Sequence, residues 1–282
     1  MRLLIFGMGY SASRVAARVA PHGARVVGVT RDGRWGSIAV TDEDRVAFEI
    51  ARATHLLSSV PPVPGGGDPV LGEFGAAIAA SGAWTGYLSS TGVYGDTRGA
   101  WVDESAPVGT GRRAARADAD RQWSALPHAR VFRLPGIYGP DRSPLDRVAD
   151  GSARRVDAGA QVFSRIHVDD LVEGVVAGFD GPPGAYNLAD DCPAPQSDVI
   201  AYAAQLLGLP VPPLLPIDAA GLSAQARAFY SENRRVANGK AKRLLGWRPR
   251  HADYRLGLRA LNASTSPAST STAPATAIHD QR

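Results

Sequence analysis

Near its start the chain reads Arg2-Leu3-Leu4-Ile5-Phe6-Gly7-Met8-Gly9-Tyr10-Ser11-Ala12. A short apolar run meets two glycines one residue apart, and an alanine follows three positions after the second. Arg2–Phe6 suits a buried strand, and Tyr10–Ala20 suits a helix closed by Pro21 and Gly23. Few turns join a strand to a helix in so few residues. Gly7 permits the tight reversal, Gly9 lets the backbone approach a pyrophosphate, and Ala12 is small enough for the helix to lie on a sheet. The first-turn amides then sit at the positive end of the helix dipole, where phosphates bind. The motif predicts a strand–turn–helix unit that holds a dinucleotide through Gly7, Gly9, Tyr10 and Ala12.

The pattern repeats down the chain. Strands are predicted at Arg25–Thr30, Ser37–Thr41, Thr54–Val60, Trp84–Ser90 and Ala129–Leu134, each a run of apolar or β-branched residues. Helical segments lie between them. Asp42 opens one over Glu43–Ala53, and Asp68-Pro69 opens another that ends near Gly82. Arg112–Leu126 supplies a third. Continuous apolar strands alternating with helices imply a parallel sheet covered on both faces. Arg31–Gly36 is too short for a helix, so one crossover is reduced to a loop.

Beyond Gly139 the pattern loosens into Arg165–Val168, a helix over Leu171–Phe179 with Asp170 and Glu173 at capping-box spacing, a strand Ala185–Leu188, and helices Gln196–Leu207 and Ala237–Leu245. Pro210–Pro216 is an extended connector. The expected fold class is α/β, a Rossmann-type doubly wound parallel sheet with a small C-terminal substrate lobe. Residues 1–139 and 166–188 form the cofactor domain, 140–165 and 189–261 the lobe, and 262–282 a disordered tail. That tail holds eight Ser/Thr and five Ala among 21 residues, too little apolar surface for a core.

Composition narrows the partners. Of 282 residues, 44% are apolar and 21% charged, enough for a sizeable core. One cysteine excludes a disulfide framework or multi-cysteine zinc site. The net charge of +4 comes from scattered basic residues, not a basic patch, which argues against nucleic acid. No run approaches the roughly 18 apolar residues of a membrane span, and the N-terminal run is too short for a signal peptide. The expectation is a cytoplasmic protein with a small-molecule substrate, no nucleic acid and no membrane.

The end of the second strand chooses between nicotinamide cofactors. A carboxylate there binds the ribose 2′-hydroxyl of NAD, and a guanidinium suits the 2′-phosphate of NADP. The sequence has Thr30-Arg31-Asp32, with Arg34 behind. Thr30 and Arg31 favour NADP. In the competing reading Asp32 takes the acid's role, with NAD bound. Ser58 and Ser59 end the fourth strand, either against the dinucleotide or as an ordinary strand terminus.

Ser89-Ser90-Thr91-Gly92-Val93-Tyr94-Gly95 then follows the fifth strand. With Gly7–Ala12, Asp103–Pro107, Arg133-Leu134-Pro135-Gly136-Ile137-Tyr138-Gly139-Pro140, His167–Asp170 and Gly246-Trp247-Arg248-Pro249, it resembles the extended short-chain dehydrogenase/reductases, the NAD-dependent epimerase/dehydratase family. The resemblance spans roughly residues 1–261. It implies an NAD(P)-dependent oxidoreductase or epimerase-like enzyme acting on a small hydroxyl, carbonyl or nucleotide-sugar substrate, with a homodimer as a family expectation. It implies that Ser90 hydrogen-bonds the reacting oxygen and that Pro135 and Gly136 run along the nicotinamide.

The chain departs from the family where the proton is handled. The usual Tyr and, four residues later, Lys are absent from Thr110–Trp123. The pair becomes Thr110 and Ala114, or Arg112 and Arg116 if Asp120 is the helix acid; the second alignment is preferred. Arginine is no acid, its pKa lying above about 12. Tyr94, or Tyr138 reaching in, is the candidate substitute, although for Tyr94 a packing role is preferred. The rival reading is a cofactor-binding sensor without turnover. Arg112, Arg116 and Arg142 are candidate substrate contacts, with Arg147 beside Arg142. Phe229–Val236 is either a polar patch facing the cleft or the cover of a helix end. His167 reads as structural, and no second histidine lies at metal spacing, so no metal site is expected. Cys192 has no activating neighbour.

Overall fold

The computed structural model describes residues 1–63, 65, 67–109 and 114–265. Seven strands form the main sheet: β1 (Arg2–Phe6), β2 (Arg25–Thr30), β3 (Ile38–Ala39), β4 (His55–Ser58), β5 (Trp84–Ser90), β6 (Ala129–Leu134) and β7 (Gly184–Asn187). Every neighbouring pair is parallel, in the order β7-β6-β5-β4-β1-β2-β3. The chain leaves β1 toward β2 and β3, then returns to place β4 on β1's other side. This reversal opens a crevice above the carboxyl ends of β1 and β4, where open α/β sheets bind ligands.

Helices α1 (Tyr10–Val19), α2 (Glu43–Arg52), α3 (Pro69–Ala80), α4 (Ala114–Ser124), α5 (Pro144–Ala149), α6 (Val168–Ala177), α7 (Gln196–Leu207), α8 (Ala224–Phe229), α9 (Gly239–Leu244) and α10 (Tyr254–Thr265) complete the frame. Strand alternation sorts the core into two layers. Leu3, Ile5 and Leu57 meet α1 and α6 through Val15, Leu171 and Val175. Leu4, Phe6 and Leu56 meet α2, α3 and α4 through Val46, Phe74 and Trp123. Each such side chain contributes about 1.5–3 kcal/mol when fully buried. Asp68 fastens α3 to α4: one carboxylate oxygen accepts the Val70 and Leu71 amides at 2.9 and 3.0 Å, and the other accepts Trp123 Nε1 at 2.8 Å.

The predicted strands and helices of the first half lie within a few residues of these bounds, and a short 3₁₀ turn at Arg34–Gly36 replaces the missing crossover helix. Three expectations are corrected. Asp170 does not cap α6. His167 is the N-cap, its Nδ1 accepting the Asp169 amide at 3.2 Å, while Glu173 binds Arg18 of α1 at 2.6 Å. Residues 239–247, expected in the lobe, cover the sheet: Ala241 and Trp247 join the α1/α6 layer because Tyr186 and Leu188 at the sheet's edge need a partner. The expected tail begins too early. Helix α10 runs through Thr265, one turn past buried Leu261, because backbone bonding continues beyond the last buried contact. Residues 266–282 lie outside the described residues. The lobe's own core is formed by α5, α7 and α10, with Leu145, Val148, Ile200 and Leu258 buried together.

Candidate active site

The glycine turn closes the end of β1. Gly7 has φ +83°, a conformation side chains resist, and its amide donates to Val29 O at 2.8 Å. A Cβ there would lie 2.9 Å from Ser59 Oγ and 3.1 Å from Val60. Ser59 itself donates to Gly7 O at 2.6 Å, so β4 holds the turn in place. At Gly9, the N-cap of α1, a Cβ would meet nothing within 4 Å, and no side chain caps the helix. Ala12 is fully buried against the sheet. The turn is thus narrow at Gly7, where it touches protein, and open at Gly9, and no side chain caps the α1 amides. It fits a dinucleotide.

Ser58 is corrected. It is completely buried, and its hydroxyl faces the Val60 amide at 3.4 Å. Strand alternation turns Ser58 into the core and brings Ser59 to the glycine turn. Tyr10 donates its hydroxyl to Pro140 O at 2.8 Å, joining α1 to the crossing into the lobe.

At the end of β2, Thr30 Oγ1 lies 2.7 Å from Ser37 Oγ. Asp32 accepts Arg34 Nε at 2.8 Å, and Arg34 holds its carboxyl below the usual range. Arg31 is exposed and makes no hydrogen bond or ion pair among the described residues.

A cleft of about 720 Å³ opens beside this crevice, between the end of the sheet and the lobe. Ser90, Pro135 and Gly136 line it. Ser90 Oγ accepts the Gly92 amide at 3.1 Å, which leaves its own proton to donate. Arg147, Arg154, Arg165 and Arg234 also line it, with Phe229 and Tyr230, and Arg165 pairs in register with Gly136. Of the two readings of Phe229–Val236, the cleft-facing one is therefore correct. Arg142 does not line the cleft; its guanidinium stands 5.0 Å from the Tyr10 ring. Arg116 does not line it either, and lies within electrostatic reach of Tyr87. Arg112 and Thr110 lie outside the described residues.

Both candidate tyrosines are corrected. Tyr94 is buried, donates to Asn187 Oδ1 at 2.8 Å and accepts Arg133 at 2.9 Å. Burial, partly offset by Arg133, pushes its phenol up to about 12. Tyr138 points into the lobe core, over Gly257, and burial raises its phenol strongly. Tyr94 sits on a buried 3₁₀ turn and Tyr138 at the end of a short strand, and neither lines the cleft.

A protein from Silicibacter pomeroyi DSS, described as functionally unknown and conserved, is 44% identical over 93% of this chain and 98% of its own, with a TM-score of 0.82. The two chains belong to one family. An NAD-dependent epimerase/dehydratase, described as putative, from Methylobacillus flagellatus is 24% identical over 93% of this chain and 98% of its own, at TM-score 0.70. A human epimerase family protein solved with NADPH is 16% identical over 93% of this chain and 98% of its own, at 0.71. The fold is that of the extended short-chain dehydrogenase/reductases. Among curated proteins, a 3-diazoavenalumate denitrifying reductase from a Streptomyces species is 34% identical over 140 residues, 45% of each chain. The match thus spans less than half the length of that relative. No family model matches the chain.

The extended short-chain dehydrogenase fold here keeps a buried polar brace under Ser90. Asp120 of α4 accepts Ser89 Oγ at 2.6 Å and both Nε and Nη2 of Arg133, at 3.1 and 2.7 Å. Arg133 passes on to Tyr94, Tyr94 to Asn187, and the Asn187 amide to Glu104 at 2.7 Å. The brace ties β5, β6 and β7 to α4 immediately behind the segment that carries Ser90 and Pro135. Asp120 is fully buried, whereas Asp118 of the same helix is partly exposed and paired with Arg121.

Sequence spacing also missed a pair. His251 packs on His167 at 4.1 Å between ring centroids, and Asp170 accepts its Nδ1 at 2.9 Å. Asp170 also accepts the Arg250 and His251 amides, at 2.7 and 3.0 Å. His167 Nδ1 is occupied by the Asp169 amide, so in the neutral ring Nε2 carries the proton. These bonds fasten the 250–251 loop to α6, and they bring potential ligand atoms of His167, Asp170 and His251 within 4.8 Å of one another, a cluster the sequence spacing did not reveal.

Proposed function

We propose that this chain is an NADP(H)-dependent oxidoreductase whose substrate carries a carbonyl or hydroxyl group and an anionic group. The observation that carries the reading is the glycine turn: constrained at Gly7, open at Gly9 and opposite a cleft that holds Ser90, Pro135 and Gly136. The bound nicotinamide supplies or takes the hydride. This chain's residues do the rest. The α1 amides hold the diphosphate, Arg31 neutralises the 2′-phosphate, and the Ser90 hydroxyl donates to the substrate oxygen as charge grows there. The arginine-rich lining attracts an anion, and Phe229 and Tyr230 supply flat apolar surface. The curated reductase relative favours the reductive direction.

Arg31→Ala is expected to weaken NADPH by about tenfold or more, the loss of one charge-assisted contact, and to leave NADH unchanged. Parallel fluorescence titrations check this; an unchanged preference for NADPH removes Arg31 from the reading. Ser90→Ala is expected to lower kcat by about 10²–10³ with KM little changed, as when one donor to a developing oxyanion is lost. The test is NADPH oxidation against a panel of aldehydes and ketones bearing carboxylate or phosphate groups. The missing Tyr/Lys pair favours a second reading, a protein that binds NADP(H) and signals without turnover. Tight NADPH binding with no turnover across that panel, in wild type and Ser90→Ala alike, supports it.

A further inference from the structure

The reaction proposed above needs a proton, and the family's usual donor is absent from the sequence. The cleft narrows the search. Its described lining contains no histidine, lysine, cysteine or aspartate. Four arginines are permanently charged, and the serine and threonine hydroxyls are too weakly acidic to act alone. Two titratable groups are left, Glu232 and Tyr230. Glu232 is buried and already paired with Arg234, 3.0 Å away.

We infer that Tyr230 is the catalytic acid that replaces the family's tyrosine. It lines the same cleft as Ser90 and Gly136, but from the lobe, on the segment that follows α8. Phe163 fixes its ring edge-on at 5.4 Å and 89°. Its hydroxyl makes no hydrogen bond among the described residues, so it is available to a ligand. Arg147 and Arg165 line the cleft beside it. Burial pushes the phenol up, and the two guanidiniums pull it the other way, leaving it above the usual range and protonated at neutral pH. Arg147 and Arg165 thereby serve as the cations that stabilise phenolate once the proton has left.

The step balances. The carbonyl carbon gains hydride from the reduced nicotinamide dinucleotide, and the C=O π pair moves onto oxygen. That oxygen forms its O–H bond with the Tyr230 proton as the phenol O–H breaks. The resulting phenolate lies beside Arg147 and Arg165 and regains a proton from water. The oxidative direction runs the same path backward, with Tyr230 as base.

This inference rests on the oxidoreductase reading, and the test separates the two. Wild type, Tyr230→Phe and Arg147→Gln are compared in three measurements. NADPH quenching of tryptophan fluorescence tests the cofactor site, which Tyr230→Phe is expected to leave intact. NADPH oxidation with 4-nitrobenzaldehyde as probe tests turnover. Tyr230→Phe is expected to lower kcat by about 10²–10⁴-fold with KM changed little, and to remove the alkaline limb of the pH profile. An ultraviolet difference titration of wild type against Tyr230→Phe, without cofactor, isolates one ionising tyrosine. Arg147→Gln is expected to raise its midpoint by about one pH unit. Failure of NADPH to bind overturns the oxidoreductase reading. Binding with an unchanged kcat in Tyr230→Phe overturns the Tyr230 role alone. A tyrosine midpoint unmoved by Arg147→Gln also overturns it, whether or not the aldehyde turns over.

Discussion

Arg133→Met is expected to destabilise the protein by about 3–5 kcal/mol, the cost of breaking a buried ion pair from one side. Arg133 and Asp120 are both almost fully buried, and Arg133 supplies two of the bonds Asp120 accepts. Without the guanidinium, Asp120 keeps only the Ser89 hydroxyl among the described residues and becomes an uncompensated charge in the core. The effect spreads, because Arg133 also bonds Tyr94, whose hydroxyl holds Asn187. Urea denaturation at pH 7 measures the loss as a lower midpoint with an unchanged slope. The double variant Asp120→Leu/Arg133→Met is expected to regain much of it, since an apolar pair of similar volume carries no desolvation penalty. If the double variant is as unstable as the single, the brace stabilises through geometry and not charge.

Gly7→Val is expected to abolish nucleotide binding. Three constraints meet at this residue. Its φ of +83° is strained for any side chain, most of all a β-branched one. A Cβ would press on Ser59 Oγ at 2.9 Å and on Val60 at 3.1 Å. Relief of either contact moves the turn and with it the amides of α1, so the diphosphate loses its donors. The strain itself costs on the order of 1–3 kcal/mol, which a domain of this size tolerates. The variant is therefore expected to fold but to lose its thermal stabilisation by NADPH, which in wild type reaches about 2.7 kcal/mol at 100 times Kd.

The fold was legible because its signals are local. Apolar runs between Gly, Pro and Asp punctuation mark β1 to β6, and Asp68-Pro69 marks the start of α3 with a cap the structure reproduces. The glycine turn was legible because context, strand before and helix after, converts a common spacing into a specific one. The substrate side was not. Arg154 and Arg165 look like ordinary surface charges in sequence, and only the packing of the lobe on the sheet brings them to one cleft. Tyr230 follows Ser90 by 140 positions, and no periodicity links them. One miss had a usable signal. The apolar flanks of Tyr94 and Tyr138 already marked them as packing residues. The His167–His251 contact had none, because it joins residues 84 positions apart through a loop fastened by Asp170.

Every role assigned to the cleft depends on a dinucleotide bound at the Gly7–Ala12 turn. Calorimetric titration of wild type and Gly7→Val with NADPH, each first shown to be folded by circular dichroism, tests it most directly. One saturable site per chain in wild type and no measurable heat in the variant is the predicted result. Equal binding by the two folded proteins, or no binding by wild type, contradicts it.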